Sequence, residues 1–370
     1  MGILCGSRTI KINKRELNQI TVKNDDFSFV YSVYSSLYNL NKFKNYILKY
    51  KSKSEIYMGK TLKEIFKRNP YIVNEDIRDN NSKKIIYRII KKENNFGKTA
   101  GSITIQILDL LKQEQIERKY PSHSDNFANG DCQIALKEYV EFHRTLYSKN
   151  KFSELFHGLL KRQILFNQKI LYSFEYFSYI ELNLVDIYNK LANEGRIFYN
   201  SFNVPEINLL DAIREQFSSR NSKFNNFDSI EQKSLFCTAP YLIFILNSQK
   251  SFQNQIYNYF NFGKFVYGLE IDISCLVEYA ENINKYKISS IIKEKSVNNN
   301  INNNINFNSN NIITNNNDDN DDHCKYINSN VDEYGQFYYY ENNNKISGIF
   351  NKPGYYDHVL IYKQLKNETQ

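Results

Sequence analysis

The sequence predicts an α+β fold, a helical first part followed by a mostly antiparallel β second part, and three observations carry that reading. Apolar residues recur at helical spacing through much of the first 150 residues. From about Leu159 onward short runs rich in Ile, Leu, Phe and Tyr take over. One of these, Pro240-Tyr-Leu-Ile-Phe-Ile-Leu246, is a continuous apolar run of strand length, suited to a sheet buried on both faces.

The elements follow in order. From Phe27 to Tyr50 the residues Phe29, Val30, Val33, Tyr34, Leu37, Leu40, Phe43, Tyr46 and Ile47 recur at intervals of three and four, a stripe that predicts a buried helix. A second helix is expected over Ser102–Glu117 and a third over Asp131–Tyr147. Leu159–Leu171 and Phe174–Val185 read as strands, as do Tyr286–Lys293, Tyr326–Asn328, Gln336–Tyr340 and Val359–Lys363. Between the last strands lies residues 296–322, mostly Asn and ending in an Asp-rich run. Such a tract lacks the apolar surface to enter a core and is expected to be a disordered insertion.

The 370 residues exceed any small disulfide scaffold, and 41% hydrophobic with 15% aromatic residues excludes a chain disordered throughout. The 48 Lys and Arg against 40 Asp and Glu leave a surplus of +8, which reads as dispersed along the chain. A solvated basic surface is therefore expected, and no nucleic-acid partner. Five cysteines without a Cys-x-x-Cys pair argue for a reducing compartment and against both a disulfide framework and a Cys-rich zinc site; neither metal nor cofactor is expected. No apolar run approaches the ~20 residues of a membrane span, so the expected location is cytoplasmic, nuclear or both. The start Met1-Gly2-Ile3-Leu4-Cys5 is close to a myristoylation pattern with a palmitoylation site, and Arg8, Lys11, Lys14 and Arg15 follow. Membrane contact is expected only if Gly2 and Cys5 are acylated.

Several segments, in order along nearly the whole chain, resemble the catalytic domain of the ubiquitin-specific protease family. Asp26-Phe27-Ser28-Phe29-Val30-Tyr31-Ser32 is similar to the family's nucleophile helix, usually N-T-C-Y-M-N-S. Phe127–Leu136 resembles F-x-x-x-x-Q-D-A-x-E-F-L. Leu155-Phe156-His157-Gly158-Leu159-Leu160 with Ser173-Phe174-Glu175-Tyr176-Phe177 resembles two motifs of the family's fingers. Ala239–Leu246, Tyr286-Lys287-Ile288, His323-Cys324-Lys325-Tyr326, Gly335–Asn342 and His358–Tyr362 resemble its C-terminal strands. The resemblance implies a papain-like cysteine-protease fold over Lys14–Leu365: a helical thumb over residues 14–149, β fingers drawn mainly from 153–270, and a β palm from 236–295 and 323–365. Residues 1–13 are then an N-terminal tail, and ubiquitin or a ubiquitin-like protein is the implied partner.

That chemistry needs a thiolate at a helix N-terminus, a His to hold and return its proton, and an Asp or Asn to orient the His. The resemblance puts Ser28 at the nucleophile position, His323 at the base and Glu341 with Asn342 at the orienting position. Lys23, with Asn24 beside it, falls where the family has its oxyanion Asn. A serine hydroxyl is a far weaker acid than a thiol, so a site shaped around sulfur is expected to lose nearly all activity. The family's fingers commonly carry two zinc-binding Cys-x-x-Cys pairs; here their places fall near Leu165-Phe166-Asn167-Gln168 and Phe224–Phe227, with no thiols, so hydrophobic packing is expected to hold the fingers instead. Two classes stay open: a pseudo-deubiquitinase that grips ubiquitin or a partner without cutting it, and a deubiquitinase of atypical nucleophile, with Ser28 or Cys5 acting through His323.

Overall fold

In the computed structural model the described residues are 28–51, 58–67, 99–114, 129–147, 151–201, 205–224, 226–247, 250–252, 255–257, 264–279, 284–295, 325–331, 336–341, 344–347 and 357–365. The tail 1–13, the insertion 296–322 and the candidate residues Lys23, Asn24, His323 and Asn342 lie outside them, as do Gly2 and Cys5.

The helical first part comprises α1 (Ser28–Tyr38), α2 (Asn41–Leu48), α3 (Met58–Lys67), α4 (Ala100–Glu114), α5 (Cys132–Tyr147) and α6 (Lys151–Phe156). The single helix expected over Phe27–Tyr50 is two. Leu40 leaves the helical conformation, with φ −83° and ψ 89°, and the Asn39 side chain donates to the Ser289 carbonyl at 3.1 Å. That partner is 250 residues distant, so local pattern alone could not reveal the break. A second junction is built on Glu114, whose carboxylate ends α4 and accepts from the Met58 and Gly59 amides at the start of α3, the latter at 3.0 Å, and from the Tyr50 hydroxyl at 3.2 Å. A Cβ at Gly59 would come within 2.7 Å of the Tyr50 ring, so a larger residue there would displace that ring.

The second part opens with β1 (Gly158–Phe166) and β2 (Lys169–Phe177), a hairpin where one strand was expected over Leu159–Leu171. The turn is Asn167-Gln168, both at positive φ, without the glycine that would have marked it. The run expected as a strand over Phe174–Val185 contains the end of β2, then β3 (Ile180–Asn183) and the start of α7 (Leu184–Asn193). After β4 (Phe198–Tyr199) and β5 (Pro205–Asn208) comes α8 (Leu209–Gln216). Both helices start on an Asn cap: Asn183 accepts from the Asp186 amide and Asn208 from the Asp211 amide.

The remaining strands are β6 (Arg220–Phe224), β7 (Phe227–Cys237), β8 (Tyr241–Asn247), β9 (Lys250–Phe252), β10 (Gln255–Tyr257), β11 (Lys264–Val266), β12 (Glu270–Asp272), β13 (Lys285–Lys295), β14 (Lys325–Val331), β15 (Phe337–Glu341), β16 (Asn344–Ser347) and β17 (Asp357–Gln364). The large sheet runs β16-β15-β14-β13-β17-β8-β3, with β12 also paired to β13; only β3 and β8 run parallel within it. A four-stranded sheet, β2-β1-β7-β6, projects beside it. Smaller sheets are β10-β9 and β11-β5-β4.

The apolar run of β8 works as its composition predicts. Tyr241, Ile243 and Ile245 face one core with α1–α4 and α6, while Leu242, Phe244 and Leu246 face a second core with α7, α8 and β5. β17 splits in the same way, Val359 and Ile361 to one side and Leu360 and Tyr362 to the other. Period-two alternation thus gives the large sheet a core on each face.

Candidate functional site

Ser28 is the first residue of α1, and what fixes that helix is its buried stripe. Val30, Val33, Tyr34 and Leu37 lie at one-turn intervals and are essentially inaccessible to solvent. α1 packs across β13 and β14. Where the three elements meet, Ser290 Oγ on β13 lies 3.0 Å from Ser36 Oγ of α1 and 2.8 Å from Asn330 Oδ1 of β14. Ser36 in turn donates to the Ser32 carbonyl at 2.9 Å. All of these polar groups are buried, so the contact fixes the position of the helix along the sheet as well as its distance from it.

β14 starts at Lys325, two residues after His323, and β15, which ends at Glu341, is its neighbour through the pairs Asn330↔Tyr338 and Val331↔Phe337. The antiparallel register carries β15 back toward the start of β14. The structure therefore brings together the helix headed by Ser28, the strand that follows His323 and the strand that ends on Glu341; Lys23, Asn24, His323 and Asn342 themselves are outside the described residues. A helix N-terminus carries a partial positive charge and stabilises an anion. Ser28 supplies no group that ionises near neutral pH to use it.

The four-stranded sheet offers two different faces. On one, α5 covers the base, where Ala135 packs with Leu159 and Phe174. Asp131 caps that helix, accepting from the Gln133 amide at 2.8 Å and the Ile134 amide at 3.1 Å. Beyond it on the same face Ile170, Leu165 and Ile230 are direct cross-strand neighbours, each 40–45% exposed, and Ile134 in the first turn of α5 is 47% exposed. The charges described on this face are partnered or opposed: Lys161 with Glu278, and Lys223 directly across from Asp228. The other face carries the ion pair Arg162–Glu231, at 2.6 Å, and a cavity of about 350 Å³ between Leu160, Ile180, Phe217, Arg220 and Lys233.

At the tip, Phe166 beside the β1–β2 turn has ring centroids 5.7 Å from both Phe224 and Phe227, which flank the β6–β7 turn. These are the places where the resemblance sets thiol pairs. Three phenyl rings join the two hairpins there, and the residues present do not fit a zinc ion.

At two places that the sequence does not mark, a histidine pair and a glutamate, titrations are displaced. His143 Nε2 of α5 lies 3.2 Å from His157 Nδ1 just before β1, with the Tyr176 ring packed on His143 at a centroid distance of 3.8 Å. Burial lowers His143 to about 4 and His157 to about 3, with the nearby Lys112 cation adding to both. Glu114 is pushed up to about 7 by burial, against the pull of its hydrogen bonds from Gly59, Met58 and Tyr50. No sequence signal marks either, since their partners come from separate elements.

No protein-family model matches the sequence, and no curated protein is recognisably similar to it. Comparison with solved structures gives a different result. The yeast SAGA DUB module carrying a mutant Sgf73 superposes with a TM-score of 0.55 at 12% identity, over 92% of this chain and 67% of that one. The Ubp8-Sgf11-Sgf73-Sus1 module gives 0.55 at 12%, over 92% and 66%. A form of the module bound to monoubiquitin gives 0.54 at 11%, over 92% and 67%. The fold is of the ubiquitin-specific protease type. At this identity the likeness is one of fold, and the chain spans about two thirds of the length of the chains it matches.

Proposed function

We propose that this chain is a pseudo-deubiquitinase, a ubiquitin-specific-protease-like protein that grips ubiquitin or a ubiquitin-like partner without cleaving it. In this reading residues 14–149 are the thumb, 153–270 mainly the fingers, and 236–295 with 323–365 the palm. The observation that carries it is the contrast between a binding face and a site without its thiolate. The Ile134, Ile170, Leu165 and Ile230 surface is apolar and extended, suited to the apolar face of a compact partner. Ser28 stands at the head of α1 where the family has Cys, Lys23 or Asn24 where it has the oxyanion donor, and Glu341 or Asn342 where it orients the His. One oxyanion donor alone is typically worth ~10² to 10³ in rate, so the combined replacements leave turnover near background.

One observation supports a second reading. Ser28 keeps the helix-terminal position that activates a nucleophile, so a serine-based deubiquitinase using His323 is the alternative. A ubiquitin–fluorophore amide separates the two. The pseudoenzyme gives no hydrolysis above buffer but a measurable complex with ubiquitin, Kd ~10⁻⁵ to 10⁻⁴ M. Robust cleavage abolished by Ser28→Ala or His323→Ala establishes the alternative. Absence of any ubiquitin binding leaves a scaffold for a different partner.

A further inference from the structure

The chain's surplus of +8 is not dispersed. Residues 41–51 and 58–67 hold seven lysines against one acid, Glu64, a net of +6 on two neighbouring helices and their ends. On α3, Lys60, Lys63 and Lys67 recur at i, i+3 and i+7 and so share one face, opposite the buried Leu62, Ile65 and Phe66. On α2 and its C-cap, Lys42 and Lys49 are seven residues apart and share a face in the same way. α2 and α3 pack together, so their axes lie ~8–10 Å apart. The two rows therefore lie on adjoining helices of one region of the surface.

Three of the lysines have defined contacts: Lys44 stands 3.8 Å over the Tyr38 ring, Lys63 donates to the Tyr50 carbonyl at 2.7 Å, and Lys67 pairs with Glu64 at 3.0 Å. Lys42, Lys49, Lys51 and Lys60 are exposed, and no described acid lies within ion-pair distance of them. The half-buried carboxylate of Glu114, at the start of α3, is taken up by the Met58, Gly59 and Tyr50 donors. All seven are ammonium groups, hydrated point charges that suit a diffuse anionic layer better than the bidentate reading of single phosphates for which Arg is used.

We propose that the solvent faces of α2 and α3 are a docking surface for an anionic lipid layer. A cluster of lysines on amphipathic helices is the pattern that an anionic lipid surface binds, which favours lipid over other polyanions. Each lysine near such a surface strengthens partitioning roughly fivefold.

The test uses the full, unacylated chain with vesicles of phosphatidylcholine alone or with about one third phosphatidylserine, at ~0.1 M and ~0.5 M salt. Co-sedimentation with the phosphatidylserine vesicles only, reduced at least tenfold by the higher salt, is the expected result. The quadruple variant Lys42→Glu, Lys49→Glu, Lys51→Glu, Lys60→Glu loses it while its melting temperature and ubiquitin affinity stay unchanged. Equal binding to both vesicles, or undiminished binding by the variant, overturns the proposal. So does displacement of the protein from phosphatidylserine vesicles by random duplex DNA at equal phosphate, which would make the partner a nucleic acid. Should the variant unfold, the lipid and salt arms on the wild-type chain decide by themselves.

Discussion

The large sheet and the four-stranded sheet are both antiparallel for the most part, yet they are held in opposite ways. β8, β13 and β17 lie between two cores, and every residue from Tyr241 to Leu246 is buried. The β2-β1-β7-β6 sheet has α5 over its base and bare strands beyond, joined at the tip by Phe166, Phe224 and Phe227. Apolar burial is thus concentrated at β8, β13 and β17, while the four-stranded sheet leaves part of its apolar surface in water. A folded interior and a binding face make opposite demands on the same side chains.

The largest effect belongs to the centre of the large sheet. Phe244 is fully buried and meets Tyr362 edge-on at 5.9 Å. Phe244→Ala should lower the unfolding free energy by ~3–5 kcal/mol, measured by urea titration at neutral pH. A loss under ~1 kcal/mol would mean that the two-core arrangement does not set stability.

Acid should act next, at the root of the four-stranded sheet. The folded values of His143 and His157, about 4 and about 3, lie below the ordinary 6.5, so the unfolded chain takes up protons first as pH falls. Their contribution is complete above pH ~6.5 and is lost progressively below it, ~2–4 kcal/mol by pH 5 for the pair. Glu114 works in the other direction. Its folded value of about 7 exceeds the ordinary 4.5, so its burial costs stability at neutral pH and less as pH falls toward 4.5. The informative measurement is therefore the difference between wild type and the double variant His143→Gln, His157→Gln at pH 7.5 and pH 5. The variant should lose much less stability on acidification; equal losses would show that the pair is already solvated.

These two regions also differ in how much could be read beforehand. The β8 run, the α1 stripe and the strands at Tyr286 and Val359 were legible because burial on a regular element writes its period into the sequence. The start of α7 was not: apolar density around Leu182–Val185 resembles a strand, although the Asn183-x-x-Asp186 cap was there to be read, as was Asn208-x-x-Asp211 before α8. The break after α1 depends on Ser289, and the histidine pair on elements that meet only after folding. Ser28, His323 and Glu341 could be named by resemblance to a family's motifs, while the adjacency of α1, β14 and β15 comes from sheet order, which no local pattern encodes.

A smaller effect is expected at the tip. Phe166 is only half-buried, and each aromatic contact adds ~0.5–1.5 kcal/mol. Phe166→Ala should therefore cost ~1–2 kcal/mol, with faster amide exchange confined to the two hairpin ends around Asn167 and Asn226. Exchange that spreads into β8 would show that the two sheets unfold as one unit.

The smallest effect on stability should be the largest on binding. Leu165 and Ile230 face each other across β1 and β7 with 42% and 45% of their surface in water, so removing their side chains opens no cavity. The double variant Leu165→Ser, Ile230→Ser should change the unfolding free energy by less than ~0.5 kcal/mol per site, the range of ordinary surface substitutions. If the row is the contact for a ubiquitin-like partner, the same variant should weaken the complex at least tenfold, because apolar anchors at the centre of an interface carry a disproportionate share of its energy. The control is Glu231→Gln on the opposite face, which touches Arg162 and should leave the complex intact. Equal weakening by both would move the contact to the charged face or reveal a general loosening of the sheet. Amide exchange on the free variants separates those outcomes, since only loosening alters the uncomplexed protein.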